Sequence, residues 1–409
     1  MNDHQYASAD VEEKEVTSLA TASAAEGPDG DNGKKQGAMV RPTMMDIFRG
    51  LSWTDRLLPL LILICIIGGA LIGNYVEGAS ATLNSIQVTD VPLPLFIGLL
   101  VMMYPVLCKV RYESVGTILR QRAFWQQLSI SFGINWVIGP FIMLALAWAT
   151  LPDLDEYRTG VVLIGIARCI AMVFIWNDLA GGDSEYCALL VAFNSLLQMV
   201  LYAPLALFFV KVLSNGDDAQ DFSIGYWVIC RSVLLFLGIP LGAAIITRLV
   251  IRNLLRKPKW YDERFMPVIS PLALAGLLFT IVIMFISQGG ALVDKIGSVF
   301  RTCVPLFLYF PIMFFATFYL CYRLGFDYSL CVTQAFTAAS NNFELAIAVA
   351  VATFGLDSNE SLGAVVGPLM EVPILLLLVY FCLWWKVRLF NPYTGLSWKS
   401  EAKSAQGQP

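Results

Sequence analysis

Residues 92–108 read PLPLFIGLLVMMYPVLC, and residues 109–122 read KVRYESVGTILRQR. The first run carries no charge, and as a helix rising ~1.5 Å per residue it covers most of a bilayer's hydrocarbon. The second carries Lys109, Arg111, Arg120 and Arg122. An apolar segment that ends in a basic loop reads as a membrane helix whose far end lies in the cytoplasm. The same alternation of long apolar runs and short polar loops recurs ten times, at 57–76, 92–108, 126–150, 159–177, 187–212, 226–250, 267–287, 302–322, 329–354 and 361–385. Only 14% of the 409 residues are charged and 57% are hydrophobic, whereas soluble proteins carry about 25% charged residues. The expected fold class is therefore an all-α membrane protein of ten transmembrane helices.

The loops set an orientation. The loop after the sixth run carries Arg248, Arg252, Arg256, Lys257, Lys259 and Arg264, so it joins the loop after the second run in the cytoplasm. The loops after the third and fifth runs carry Asp153, Asp155, Glu156, Asp217, Asp218 and Asp221 instead, and face out. An even number of spans returns residues 391–409, a C-terminal tail with Lys399 and Lys403, to the cytoplasm. Residues 1–50 are rich in Ala, Ser, Gly and acidic residues, which is the composition of a disordered cytoplasmic tail, and they lack the early apolar run of a signal peptide.

Composition also excludes chemistries. A net charge of −4 gives no sign of a nucleic-acid partner, and the single histidine, His4, lies in the N-terminal tail. No GxxxxGK[ST] phosphate loop is present, so an ion gradient is the available energy source. The nine cysteines are scattered singly, mostly in apolar runs where a thiol is a small hydrophobe. No cofactor and no enzymatic activity are expected.

The chain also repeats itself. GGALIG at 68–73 resembles LGAAII at 241–246; PLFIGLL from Pro94 resembles PLALAGLL from Pro271. GPFIMLALAW from Gly139 resembles FPIMFFATFY from Phe310, and GGD ending at Asp183 resembles GLD ending at Asp357. The displacements run from 171 to 177 residues. Residues 51–215 and 216–390 thus read as two five-helix repeats, and five being odd, the second enters the membrane inverted. Inverted repeats are the signature of secondary transporters, which place their site at the repeat interface near the midplane.

Ionisable residues inside a membrane are costly and mark function. Residues 165–178, GIARCIAMVFIWND, put Arg168 and Cys169 in the middle of the fourth span. Residues 336–350, FTAASNNFELAIAVA, put Ser340, Asn341, Asn342 and Glu344 at matching depth in the ninth. A shift of 174 lays Cys169 on Phe343 and Ile170 on Glu344, so the polar centres are symmetry mates. Small and side-chain-bonding residues just before each centre can free the backbone, as in broken transporter helices.

The runs ARCIAMVFIW around Cys169 and NNFELAIAVA around Glu344 resemble the paired motifs of the arsenite efflux transporters, within the bile-acid/arsenite/riboflavin transporter superfamily. The resemblance extends over roughly residues 50–390. It implies export of trivalent arsenic (arsenite and, in some members, antimonite) in exchange for protons, with Cys169 and Glu344 as the functional pair. It also implies a panel domain of spans 1, 2, 6 and 7, and a core domain of the other six, in which spans 4 and 9 are broken and cross.

The residues support that chemistry independently. Arsenous acid is small, neutral and hydrogen-bonding, and soft thiolate sulfur suits a soft centre, so Cys169 is the arsenic ligand. A nearby cation favours thiolate, and Arg168 can supply it only if the helix is interrupted, because adjacent residues on a helix point apart. One thiol with hydrogen bonds from Asn and Ser makes a releasable site. A carboxyl withdrawn from water holds its proton to higher pH, which suits Glu344 to carry the proton.

Plainer readings stand beside these. Glu344 can form a structural ion pair with Arg168, and Arg168 can hold the core by a buried pair rather than tune the thiol. Glu371, in PLMEVP of the tenth span, can carry the proton or bond the core. Asn135 and Asn194 are substrate-binding candidates, but for them and for Gln198 helix–helix glue is the more frequent role of a buried amide. Trp148 and Trp176 near span ends read as interfacial, and Asn359-Glu-Ser361 matches a glycosylation sequon in an outer loop. The nearest rival function is a sodium-coupled organic-anion symporter on the same fold, with oxygen ligands from Ser340, Asn341, Asn342 and Glu344; Cys169 has no role in it. A prenyl-transferase-like enzyme using Asn177, Asp178 and Asp183 lacks a second aspartate-rich segment. The expected location is the plasma membrane, with the vacuolar membrane as the alternative.

Overall fold

The computed structural model describes residues 53–88, 91–110, 122–170, 172–214, 226–356 and 358–390. The N-terminal tail (1–50), the basic residues 111–121, the acidic residues 217–221 and the C-terminal tail (391–409) lie outside the described residues, and what was expected of them is not addressed by the structure.

Helix α1 is Trp53–Tyr75 and α2 is Ala79–Leu83, after which Gln87–Val88 (β1) and Val91–Pro92 (β2) form a two-stranded antiparallel ribbon. Helix α3 (Leu93–Lys109) follows, then α4 (Arg122–Phe132) and α5 (Gly139–Thr150), joined by a π-helical segment at Gly133–Ile138. Next come α6 (Asp155–Ile166), α7 (Met172–Leu179) and α8 (Ser184–Leu207). Helices α9 (Tyr226–Val233) and α10 (Ile239–Arg248) are again joined by a π segment, Leu234–Gly238. The chain ends with α11 (Pro258–Trp260), α12 (Met266–Asp294), α13 (Ile296–Arg323), α14 (Tyr328–Ala339), α15 (Phe343–Phe354) and α16 (Asn359–Leu389).

The π segments have a local cause. Pro140 and Pro240 lie at the starts of α5 and α10, and a proline ring displaces the carbonyl four residues earlier, at Trp136 and Phe236. Both fall inside the π segments, which absorb the lost hydrogen bond without ending the helix.

Among the described residues, six continuous helical runs are long and apolar enough to cross a membrane: Trp125–Thr150, Ser184–Leu213, Tyr226–Arg252, Pro258–Gly290, Ile296–Arg323 and Asn359–Lys386. Leu60–Tyr75, Leu93–Lys109 and Phe343–Phe354 are shorter apolar helices. The runs expected at 159–177 and 329–354 are each divided, into α6 with α7 and α14 with α15. Apart from the small ribbon, the described chain is helical, as an all-α membrane protein should be.

Contacts sort the helices into two groups. In the first, α12 packs along α1 and α3, and α3 along α10. Glycines let α12 and α1 close up: a Cβ on Gly73 would strike the Ile286 carbonyl, and one on Gly289 would lie 2.7 Å from the Ala70 carbonyl. Small residues at such contacts allow backbones to approach in a membrane. In the second group, α13 packs on α14 and α16, α16 on α6 and α15, and α5 on α6 and α13.

Candidate functional site

Both divided helices break at their polar centres, and the breaks meet. Helix α6 ends at Ile166, and Ala167 turns extended (φ −77°, ψ 118°). Helix α14 ends at Ala339, and Ser340 does the same (φ −81°, ψ 145°). Arg168 and Asn341, 173 residues apart in the chain, then pair as an isolated antiparallel bridge, with the Asn342 N–H donating to the Ala167 carbonyl at 3.1 Å.

The last carbonyls of a helix need partners from outside it. Asn341 supplies them, its Nδ2 donating to the Ile164 carbonyl at 2.8 Å and the Ala167 carbonyl at 3.0 Å. Asn342 serves the other end of the break: its Oδ1 accepts the Leu345 N–H at 3.1 Å and caps α15. The Arg168 N–H donates to Gln198 Oε1 on α8 at 2.5 Å. The crossing is therefore held by side-chain amides from two other stretches of chain, in a region where Arg168, Ser340 and Asn341 have no solvent exposure.

Cys169 lies at the foot of α7, its Sγ accepting the Val173 N–H at 3.3 Å. The side chain is buried, and both Glu371 and Glu344 lie close enough to act on the sulfur electrostatically. Those two carboxyls also act on one another, and Glu371 sits beside Ser340 and the Asn341 N–H. One thiol and two carboxyls thus share a single dry region at the crossing. The N-termini of α7 and α15, each the partially positive end of a helix dipole, begin there. Ser340 Oγ, Asn341 Oδ1, Asn342 Nδ2 and Glu371 Oε1 are buried without a hydrogen-bond partner among the described residues. Buried polar atoms are normally satisfied, so this set can receive a small solute that both donates and accepts. Among the described residues, no three His, Cys, Asp or Glu side chains converge closely enough to hold a metal ion.

Besides an apolar crevice between Leu60–Ile66 of α1 and Leu369–Pro373 of α16, with about 720 Å³ of empty space, two crevices run between the helix groups toward the site. One, with about 490 Å³ of empty space, is lined by Met102, Val106 and Lys109 of α3, by Met172, Phe174 and Ile175 of α7, and by α12 from Ser270 to Leu277. It reaches the exposed Lys109 at one end and the foot of α7 at the other. The second is narrower, with wholly buried walls; Glu344 and Ile347 face Leu95, Leu99, Thr280 and Met284 across it. Leu277 lines both.

Other expected residues lie as follows. The Arg168 guanidinium donates to the Tyr309 hydroxyl at 3.3 Å and to the Gly165 carbonyl, and no carboxylate among the described residues pairs with it. These bonds include neither the buried ion pair nor a contact with the Cys169 sulfur, and the backbone N–H of Val173 in α7 is the donor to that sulfur. Asn194 accepts the Trp136 indole N–H at 3.0 Å, and Asn135 donates back to Ser131 at 2.8 Å; neither bonds the crossing residues. Gln198, which reads in the sequence like Asn135 and Asn194 as helix glue more often than as a functional amide, does. Trp148 is 41% exposed, as an interfacial residue should be, but Trp176 is fully buried beside the site. Nothing in LFLYFPIMFF separates Tyr309 from its aromatic neighbours in the sequence.

Comparison with known proteins adds to this geometry. Residues 96–295 match the model of the sodium bile acid symporter family. The arsenical-resistance protein Acr3 of Corynebacterium glutamicum is 42% identical over 342 residues, covering 83% of this chain and 91% of that protein. The chain belongs to the Acr3 family of arsenical-resistance proteins. The Acr3 protein of Alkaliphilus metalliredigens is 28% identical over 341 residues, 81% of this chain and 92% of its own length. An uncharacterised transporter of Synechocystis is 32% identical over 362 residues, 84% and 92% of the two chains. As a member of the Acr3 family, the protein is a multi-pass membrane transport protein and not an enzyme.

Proposed function

We propose that this Acr3-family protein exports trivalent arsenic, as arsenite and also antimonite, from the cytoplasm in exchange for protons. The observation that carries this reading is the meeting of Cys169 with Glu344 and Glu371 in one dry site where two half-helices begin. Arsenite enters from the crevice ending at Lys109, which the basic-loop rule assigns to the cytoplasm. It takes the soft sulfur of Cys169 and the free hydrogen-bonding atoms of Ser340, Asn341 and Asn342 while Glu344 is ionised. Protonation of the Glu344–Glu371 pair from the outer side then ejects it. Mutual exclusion of substrate and proton makes the exchange obligatory.

The same reading takes the ten segments as membrane spans arranged as two inverted repeats, with both termini cytoplasmic, in the plasma membrane. The group of α1, α3, α10 and α12, with α9 as the first half of the sixth span, is the panel against which the core, carrying both broken helices, moves in alternating access. The family model that matches residues 96–295 is named for sodium symport, so sodium is the ion to test against the proton.

The test is metalloid sensitivity of a host lacking its own exporter. Wild type is expected to restore growth in arsenite and Cys169→Ala to give none. Equal protection by both would remove sulfur from the mechanism.

A further inference from the structure

The boundary between the two helix groups differs at its ends. At the end carrying Lys109 and Ser270 it opens as the crevice lined by α3, α7 and α12. At the other end Gln288 of α12 donates from Nε2 to the Leu356 carbonyl, between α15 and α16, at 2.9 Å. Gln288 is 2% exposed. The β2 strand and α9 also pack on α15 here.

Each partner of that hydrogen bond is braced within its own group. On the α12 side, Ser80 Oγ donates to the Ser287 carbonyl at 3.0 Å and Ser287 Oγ to Asn84 Oδ1 at 3.2 Å, which ties the end of α12 to α2. On the other side, the hydroxyls of Ser358 and Ser361 donate to the Gly355 carbonyl at 2.9 and 2.7 Å, fixing the turn that presents Leu356. Lys295 Nζ donates to Asn359 Oδ1 at 2.6 Å and Asn359 Nδ2 to Glu156 at 2.5 Å, which fastens the start of α16 to α6 and to the start of α13. Asn359 of the sequon is therefore engaged in this rim. Two braced bodies are joined across their boundary by a buried amide, on the side away from the open crevice.

We infer that the Gln288–Leu356 hydrogen bond is an outer latch, which holds the inward-open form and must break before the site opens outward. Two bodies each fixed by their own bonds separate at the contacts between them, so a bond that crosses the boundary shifts the balance of the two forms. A buried hydrogen bond contributes about 1 kcal/mol, so its loss raises the outward-open population about five-fold.

The inference rests on the alternating-access reading above. Its readout needs neither arsenic nor a proton gradient, so it can fail while export stands. Met284, one helical turn from Gln288 and on the wall facing Glu344, is replaced by Cys as an outer reporter; Ser270→Cys, on the open crevice, is the inner one. A membrane-impermeant maleimide is applied to the full chain in right-side-out and everted vesicles, and the parent chain without reporters gives the background of native thiols. Gln288→Leu and Gln288→Met are each expected to speed outer labelling of Met284→Cys about five-fold without speeding inner labelling of Ser270→Cys. Ser287→Ala, which breaks a bond inside one body, is expected to change neither rate. An unchanged outer rate in either inserted Gln288 variant overturns the latch. So does a rise at both reporters together, which marks general loosening.

Discussion

At the second break Asn342 accepts the Leu345 N–H and caps α15; at the first, Cys169 takes the equivalent place and accepts the Val173 N–H below α7. Asparagine is among the best N-cap residues, whereas a thiol is a weak acceptor. If capping were the only demand, the first break would carry asparagine too. The two breaks therefore share a backbone problem and differ in chemistry: one is finished with an amide for structure, the other with sulfur at a structural cost. The carboxyls are divided in the same spirit, Glu344 following the second break and Glu371 coming from α16 beside it.

The largest effects test that division. Cys169→Asn gives the first break the residue the second one uses, so it is expected to abolish arsenite export while leaving thermal stability in detergent unchanged or raised by up to about 1 kcal/mol. Export retained in this variant would make the sulfur a packing residue. Glu344→Gln is expected to bind arsenite but lose proton-driven exchange, as read by equilibrium binding beside vesicle transport. Normal exchange would pass the proton to Glu371, where the same substitution is the next experiment.

Next in size is the crossing itself. Asn341→Ala removes two buried hydrogen bonds, and although the Ile164 and Ala167 carbonyls keep the Ala167 and Asn342 N–H groups as partners, the loss of about 0.5–1.5 kcal/mol per bond should appear as a clear fall in melting temperature. Asn342→Ala, which removes only a cap, is expected to lose about 1 kcal/mol. If Asn342→Ala proved the more damaging, the bridge would not be what holds the breaks together.

The smallest effect lies away from both breaks. The exposed Asp153 carboxylate accepts from the Arg301 guanidinium at 2.7 Å, which holds its pKa down to about 2. A depressed carboxylate stabilises the fold above the ordinary range near 3.9 and loses that contribution as pH falls through about 2. Unfolding profiles of wild type and Asp153→Asn should therefore run parallel and nearly coincide above about pH 4, as exposed pairs contribute little, and converge below it. A difference that appears between pH 5 and 8 would mean another group is titrating.

Much of this was legible in the chain. Apolar runs located the helices, because a bilayer demands them. The breaks were legible as well: Arg168, Ser340, Asn341 and Asn342 have no business in hydrocarbon unless the backbone there needs partners. What could not be read was which polar group serves which. The guanidinium of Arg168 was free on paper to face its neighbour Cys169; it faces Tyr309, a partner on α13 that only the packing selects. Gln198 looked like its neighbour Asn194 one turn away, and only the fold puts its Oε1 against the Arg168 N–H. A displacement of 174 was read along the chain, yet the bridge pairs residues 173 apart, a one-residue difference that apolar matches cannot resolve.

The most direct measurement is arsenite uptake into everted vesicles carrying wild type or Cys169→Ala. Wild type should accumulate arsenite under an imposed proton gradient, lose the accumulation with an uncoupler, and show none in the Cys169→Ala vesicles. Accumulation by Cys169→Ala at the wild-type level, or accumulation that survives the uncoupler and requires sodium, would contradict a sulfur-and-proton exchange at the crossing.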